Sequence, residues 1–173
     1  MCVSGTFLYI THSGSAKYIH KVNTATLAKG KDIPIVYPDK YKKHITGFNG
    51  ISTFGEAYIL RCMGGHYVMY LDKNFKFSKV EKFTDPFKDK KEDSQGMAYA
   101  GGVVYRVYSR LQSKSKNYIC KFTPEGKLKS KIKVETKGEL ENLFFIDGKL
   151  HGMIYRKKTK GKNQYMSYIF KAK

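Results

Sequence analysis

Four polar side chains stand at repeated positions near the start of apolar segments. Each lies six or seven residues before a glycine that opens the next apolar segment: Asn49, Gln95, Glu141 and Asn142. Amide and carboxylate groups that converge in this way can hold a cation, a sugar or a phosphate-bearing polyol. The alternative is that they cap strand ends and hydrogen-bond the neighbouring backbone. The sequence predicts a ligand site here and leaves the capping alternative open.

Three arginines lie in or just beyond the second predicted strand of a repeat, whereas most other basic residues are lysines. They are the remaining predicted ligand-binding residues: Arg61, Arg106 and Arg156. A guanidinium can grip a phosphate or carboxylate through two parallel hydrogen bonds. The alternative is structural pairing with an acidic residue such as Glu56, Asp93 or Glu139.

Patterns typical of catalysis are weak. Glu139 and Glu141 lie two apart on one segment, without a second partner in a different environment to act as acid or base. Ser13 lacks the Gly-x-Ser-x-Gly context of a nucleophile elbow. No metal spacing is present among the five histidines or the three cysteines, Cys2, Cys62 and Cys120. The sequence therefore predicts no catalytic residue, no metal and no cofactor, and it favours a role other than that of an enzyme.

The elements that position these residues recur along the chain. Four similar segments begin at tyrosines that are 49, 51 and 50 residues apart: Tyr18, Tyr67, Tyr118 and Tyr168. Short alternating strands with a period near 50 and no helical pattern between them are typical of four-stranded propeller blades. The sequence thus predicts an all-β fold, a β-propeller with three to four blades in this chain.

The repeats divide the sequence into one predicted domain, residues 1–173. Their approximate bounds are 5–45, 46–92, 93–136 and 137–173. Fourteen strands are predicted, with the first strand of the first blade and the fourth strand of the last blade missing. Open blade edges invite pairing with another chain, so a homodimer through those edges is one expectation.

The charge balance predicts a polyanionic partner. The chain has 33 Lys and Arg against 14 Asp and Glu, a net charge of +19. Such an excess attracts nucleic acid, anionic membrane or an acidic cell-wall polymer. The alternative is a solubilised surface whose lysines guard strand edges. Within Lys127–Val134 the pattern predicts lysines that point outward and aliphatic residues that point inward.

Two segments resemble a known family. Gln95-Gly-Met-Ala-Tyr-Ala, and Glu139-Leu-Glu-Asn-Leu-Phe-Phe-Ile-Asp-Gly-Lys-Leu with the later Tyr168-Ile-Phe, resemble the C-terminal blades of the helveticin J family of large bacteriocins. They are also similar to propellers of teichoic-acid-associated proteins and of phage receptor-binding proteins. The likeness spans about residues 90–173. It implies a five-bladed propeller at full length and a role at Gram-positive cell surfaces, although this chain is much shorter than the full-length members of this antimicrobial family.

Together these observations predict a binding module for an anionic cell-wall polymer, teichoic acid. Two alternatives are a propeller enzyme that acts on a sugar or lactone, and a basic nucleic-acid-binding protein. The resemblance implies a secreted or cell-surface protein, while the N-terminus shows no signal peptide and leaves the cytoplasm open. No apolar run is long enough to span a bilayer.

Overall fold

A computed structural model describes residues 1–11, 17–63, 66–87, 93–109, 116–136, 138–157 and 163–170. The side chains of residues 93, 156, 157 and 163–168 lie outside this description. The described residues form fifteen strands and one 3-10 helical turn, Asp39–Tyr41. All strand pairs are antiparallel.

The chain divides into two compact units, and the first is Met1–Phe83. It contains two four-stranded sheets, in each of which the strands lie in chain order. Sheet 1 consists of β1 (Cys2–Ser4), β2 (Phe7–Thr11), β3 (Tyr18–Asn23) and β4 (Ile33–Pro34). Sheet 2 consists of β5 (Gly47–Phe54), β6 (Ala57–Met63), β7 (Tyr67–Leu71) and β8 (Phe77–Lys82).

The second unit, Thr84–Lys173, contains the other two sheets. Sheet 3 consists of β9 (Asp93–Ala100), β10 (Val103–Ser109), β11 (Asn117–Phe122) and β12 (Leu128–Val134). Sheet 4 has three strands among the described residues: β13 (Glu139–Ile146), β14 (Lys149–Lys157) and β15 (Asn163–Phe170).

Each sheet is a meander in which consecutive strands are neighbours, which is the topology of a propeller blade. The predicted all-β propeller class is therefore confirmed. Apart from β1, which precedes residue 5, the strands of each sheet lie within the bounds of one predicted repeat. That residues 1–173 form a single domain stays a prediction.

The predicted strand count is wrong by one, because the first sheet does have a first strand. Cys2–Ser4 forms β1 and pairs with β2. Three residues are too few to show the alternation from which a strand is recognised in sequence. The described part of sheet 4 lacks a fourth strand, as expected.

The tyrosine repeat is also out of register in the last sheet. Tyr118 pairs with Tyr108, and Tyr108 lies seven residues after Gly101, the first residue of the preceding hairpin turn. Tyr168 pairs with Gly152, and Gly152 lies only five residues after Asp147, the first residue of the corresponding turn. A shift of two residues preserves the two-residue alternation along a strand, so the sequence similarity survives the shift.

The hairpin turns between first and second strands follow from their residues. Gly101 and Gly102 have φ values of 55° and 76°, and Asp147 and Gly148 have 49° and 71°. Positive φ at both central positions is required by the type I′ turn that matches strand twist. Glycine and aspartate are among the residues that tolerate it.

Each unit has its own apolar core between its two sheets. In the first unit Tyr9 and Ile19 of sheet 1 pack with Ile51 and Leu60 of sheet 2. In the second unit the core is formed by these buried residues of sheets 3 and 4: Ala98, Val107, Ile119, Leu140, Leu143 and Ile154. Burial of these side chains holds consecutive first strands together, which brings the predicted site residues of the second unit close to one another.

Candidate functional site

The first strands of sheets 2, 3 and 4 each carry a β-bulge where the sequence predicts ligand contacts. In β5 the extra residue is Asn49, because its two neighbours pair with consecutive residues of β6. In β13 the extra residue is Glu141. In β9, Gln95 and Gly96 together oppose Val107. A bulge bends its strand and re-aims side chains, so the three sheets share one local distortion.

The bulges correct the alignment made from sequence. All three bulged side chains lie six residues before the first residue of their hairpin turns: Asn49, Gln95 and Glu141. Alignment on Gly55, Gly102 and Gly148 instead matches Phe48 with Gln95 and Glu141. That alignment is one residue out in sheet 2, because Gly55 is the first residue of its turn whereas Gly102 and Gly148 are the second.

In the second unit the bulges place polar groups of sheets 3 and 4 together. We call this set the bulge site, and it comprises Gln95, Gly96, Glu139, Glu141 and Asn142. The amide Nε2 of Gln95 donates a 2.8 Å hydrogen bond to Oε1 of Glu139. The Glu139 side chain is only 7% exposed, and a buried carboxylate needs such donors. The first strands of the two sheets are thus joined through side chains.

Gly96 lets the two first strands approach each other closely. A Cβ atom at this position would overlap Oδ1 and Cα of Asn142 and would lie 2.8 Å from the carbonyl oxygen of Glu141. Real Cβ atoms do not come this near to backbone. Glycine is therefore required here by the close contact between strands, and Oδ1 of Asn142 accepts the backbone N–H of Leu143 at 2.9 Å.

Glu141 has a perturbed acidity. Burial raises the pKa of its carboxyl group, and the negative charge of Glu139 raises it further. A carboxyl group with a raised pKa is more readily protonated, and in that form it can donate as well as accept a hydrogen bond. Together with amides, it can bind hydroxyl or phosphate groups of a polyol by hydrogen bonding.

Asn49 belongs to the first unit and is described separately. Its side chain is half-buried, and the buried Oδ1 atom has no hydrogen-bond partner among the described residues. A buried acceptor without a partner costs free energy unless a ligand or water satisfies it. Asn49 is thus a predicted site residue of the first unit whose buried acceptor has no hydrogen-bond partner among the described residues.

The structure places two of the predicted arginines inside the sheets. Arg106 of β10 is fully buried, and its Nη2 donates a 2.9 Å hydrogen bond to Oγ of Ser94. Arg61 of β6 is 9% exposed, and its Cβ packs beside Gly50. Arg156 lies on β14, with its side chain outside the described residues. Ligand binding by these arginines stays a prediction.

One residue close to the bulge site, Asn117, was missed in the sequence. Its fully buried side chain accepts hydrogen bonds from Ser109 Oγ at 2.7 Å and from the Leu140 backbone N–H at 2.9 Å. It donates to Thr136 Oγ1 at 2.8 Å and to the Gly138 carbonyl at 2.7 Å. Asn117 thereby fixes the connection that leads into β13 and its acidic residues. The only signal in the sequence is that a polar residue precedes each repeated tyrosine.

A row of three lysines lies on the outermost strand of sheet 3. This lysine ladder consists of Lys129, Lys131 and Lys133, which alternate along β12 and are all exposed. Nζ of Lys131 lies 4.5 Å from the ring centroid of Phe87 and donates to the Pro86 carbonyl at 3.4 Å. The ladder therefore includes one lysine with a defined position.

Of the aliphatic residues of β12, Val134 packs against the core as predicted, whereas Leu128 and Ile132 do not. Leu128 is 37% exposed and Ile132 is 44% exposed. The reason is position, since β12 is the edge strand of sheet 3 and only one neighbour, β11, pairs with it among the described residues. The lysines point outward, as expected.

Other chemistry is not supported by the described part of the chain. It contains no group of three or more His, Cys, Asp or Glu residues that could hold a metal ion. Cys62 and Cys120 are buried free thiols, and burial raises the pKa of Cys120 to about 12, which keeps it protonated. In the same residues no helix is long and apolar enough to cross a membrane.

Comparisons with known proteins identify the fold and no family. No protein-family model and no curated protein matches the chain. Among solved structures, exo-β-1,3-galactanase from Phanerochaete chrysosporium aligns with 88% of the chain at 9% identity and a TM-score of 0.53. Quinohemoprotein alcohol dehydrogenase from Comamonas testosteroni aligns with 88% at 12% identity and a TM-score of 0.51.

BamB from Moraxella catarrhalis aligns with 89% of the chain at 15% identity, with a TM-score of 0.48. The chain spans 38%, 28% and 54%, respectively, of the lengths of these three proteins. At identities this low, the galactanase and the dehydrogenase indicate a shared fold alone. These two enzymes have different activities, so the fold does not select a function.

Proposed function

We propose that this chain is a binding module that attaches to an anionic polymer of the Gram-positive cell surface, teichoic acid. The observation that carries the proposal is the exposed lysine ladder of β12 in a chain with a net charge of +19. The resemblance to helveticin-type propellers supports the same class of partner. Bactericidal activity is not part of the proposal.

The geometry of the ladder suits an extended polyanion. Alternate residues of a strand lie on one side and are about 6.6 Å apart. Three ammonium groups in a row can therefore contact successive phosphates of a flexible chain. Each exposed contact is weak and screened by salt, so affinity depends on several contacts made at once.

The protein has too few acidic groups to neutralise this surface. Lys133 pairs with Glu135 at 3.1 Å, but both side chains are largely exposed. Overall 14 acidic residues face 33 basic ones. Exposed pairs of this kind exchange readily with other anions because they contribute little to stability.

The bulge site supplies a second type of contact in this proposal, hydrogen bonding. Gln95, Glu141, Asn142 and, in the first unit, Asn49 present amide and carboxyl groups near strand starts. A polyol phosphate offers hydroxyl groups as well as phosphates, whereas the ladder can recognise only the phosphates. Hydrogen bonds at the bulges would then favour a polyol over other polyanions.

The test is retention of the protein on purified cell walls, with and without chemical removal of teichoic acid. We expect retention that falls as salt concentration rises and that is lost on stripped walls. The substitution set Lys129→Ser, Lys131→Ser and Lys133→Ser should weaken it more than a control of equal charge change, Lys31→Ser, Lys40→Ser and Lys43→Ser. Equal retention on stripped walls would contradict the proposal.

A competition experiment separates this function from nucleic-acid binding. Both polymers bind more weakly at high salt, so salt dependence alone does not distinguish them. Soluble teichoic acid should displace the protein from cell walls at a lower phosphate concentration than single-stranded DNA does. The reverse order would favour a nucleic-acid-binding protein.

A further inference from the structure

Sheet 1 and sheet 4 each have a face with exposed apolar residues that packs on no other described sheet of its own unit. Each sheet has two faces, and we call the face that can pack on the next sheet in the chain the exit face and the other one the entry face. Within each unit, the exit face of the earlier sheet packs on the entry face of the later sheet. Sheet 1 packs on sheet 2 through its exit face, with Tyr9 7% and Ile19 0% exposed. Among the described residues of their own units, the entry face of sheet 1 and the exit face of sheet 4 have no such partner.

On sheet 4 the uncovered exit face is rich in apolar residues. Strand pairing places Phe144, His151 and Ile169 side by side on it, with Ile146 and Met153 next to them. Ile169 is 57% exposed and Ile146 is 48% exposed. Phe144 and Met153 are half-buried. Their equivalents in sheet 3, where the exit face is covered by sheet 4, are Ala98 and Val107, which are 2% and 0% exposed.

Sheet 1 shows the same property on its entry face. Val3, Leu8 and Val22 are paired neighbours there, and Ile10 lies two residues further along β2. Val3 is 59% exposed, while Leu8 and Ile10 are only half-buried. Their equivalents on the covered entry face of sheet 2, Tyr58 and Leu60, are 6% and 0% exposed.

We propose that a second copy of this chain covers both faces, with the entry face of each copy packed on the exit face of the other. Blades bury their apolar faces only against neighbouring blades, and the ends of a repeat array need polar faces if they are to stay in water. Here both end faces are apolar. One chain carries one uncovered face of each kind, so two copies related by a twofold axis satisfy all four at once.

The proposal goes beyond polymer binding and concerns faces of the sheets rather than their edges. A second copy is the partner that we infer because it would join an exit face to an entry face, which is the same kind of contact that the sheets make within each unit. Charge acts against it, because each copy carries +19. Salt screens this repulsion and leaves apolar burial intact. Dimerisation should therefore strengthen with salt, whereas polymer binding weakens.

The test is the mass of the full chain in solution by light scattering and sedimentation over a range of salt and protein concentrations. We expect twice the chain mass of 19.9 kDa at high salt. Ile169→Lys on the exit face and Val3→Lys on the entry face should each give a monomer. Both residues are exposed in one copy, so neither substitution should unfold it. The control, Ile132→Lys, changes an isoleucine that is 44% exposed on β12 and should leave the dimer intact.

Mixing the two variants tests which faces meet. The Ile169→Lys variant retains an entry face and the Val3→Lys variant retains an exit face, so a mixture can form one unaltered contact. We expect a mixed dimer, weaker than that of the original chain, when the two monomers are combined. A monomeric original chain at every salt concentration would overturn the proposal, as would dimers of Ile169→Lys alone. If the protein were not retained on cell walls at any salt concentration, the proposed function would be contradicted, but the proposed dimer would not.

Discussion

The Gln95 amide and the Glu139 carboxylate, 44 residues apart in sequence, share a 2.8 Å hydrogen bond between the first strands of sheets 3 and 4. This bond ties a bulged residue of one sheet to a buried acid of the next. It lies beside Gly96, where the two backbones come too close for any side chain. The candidate site and the packing of the two sheets are therefore parts of one arrangement.

Loss of the Gln95 donor should destabilise the second unit. A hydrogen bond to a charged group contributes about 1.5–3 kcal/mol, so Gln95→Ala should lower the free energy of unfolding by about that amount. The control Asn74→Ala, at an exposed turn, should change it by less than about 0.5 kcal/mol. Urea unfolding measures both. In a double-mutant cycle with Glu139→Ala, additive effects would show that the two residues do not interact.

Gly96→Ala should be costly although it adds a single methyl group. The new Cβ overlaps Asn142 and the Glu141 carbonyl, and overpacking of this kind costs about 1–3 kcal/mol. Gly30→Ala is the matched control, because its Cβ would lie 3.4 Å from the nearest atom, an ordinary contact. Thermal or urea unfolding compares the two. Equal stability of both variants would mean that the strands separate here at little cost.

Asn117→Asp should destabilise the protein in a pH-dependent way. Aspartate cannot donate to Thr136 and Gly138 as the amide does, and its charge would be fully buried. Burial raises the pKa of such a carboxyl in the folded state, so the variant should lose stability as pH rises. Ser109→Ala, which removes one of the partners, should have a smaller effect without that pH dependence. Denaturation midpoints over a pH series measure both.

The titration of Glu141 should lower the free energy of unfolding of the protein as pH rises through the acidic range. Its pKa is raised in the folded state, so the folded protein binds more protons than the unfolded chain there. Unfolding free energy therefore falls with rising pH, from the ordinary pKa of glutamate up to the raised one. Glu141→Gln removes this contribution and should be more stable than the original chain above that range.

The measurement is the difference in unfolding free energy between the original chain and Glu141→Gln, determined by urea unfolding from acidic to neutral pH. It isolates the contribution of Glu141 because all other carboxylates are present in both proteins. Among these, Asp32 and Asp39 have lowered pKa values, caused first by hydrogen bonds to His20 and Lys42, respectively, and they act in the opposite direction. Glu56→Gln at an exposed turn is the control and should show no comparable difference. A constant difference between original chain and Glu141→Gln at all pH values would contradict the prediction.

The sequence alone determined the strand repeat, the hairpin turns and the neighbourhood of the site. These features are local. Turn glycines, alternating residues and a spacing near 50 act within short segments, and each can be recognised without knowledge of the rest of the chain. For this reason Gln95 and Glu141 were predicted as site residues from their spacing to Gly102 and Gly148, the glycines that open the next strands.

Only the tertiary structure decided which residues touch across sheets. The bulges at Asn49, Gln95 and Glu141 depend on strand register, which arises from pairing between strands and packing between sheets. The four hydrogen bonds of Asn117 join residues that are up to 23 positions apart. The exposure of Ile169 depends on whether another sheet covers it. Each of these properties belongs to contacts between distant segments, and no single segment of the sequence contains the information that defines them.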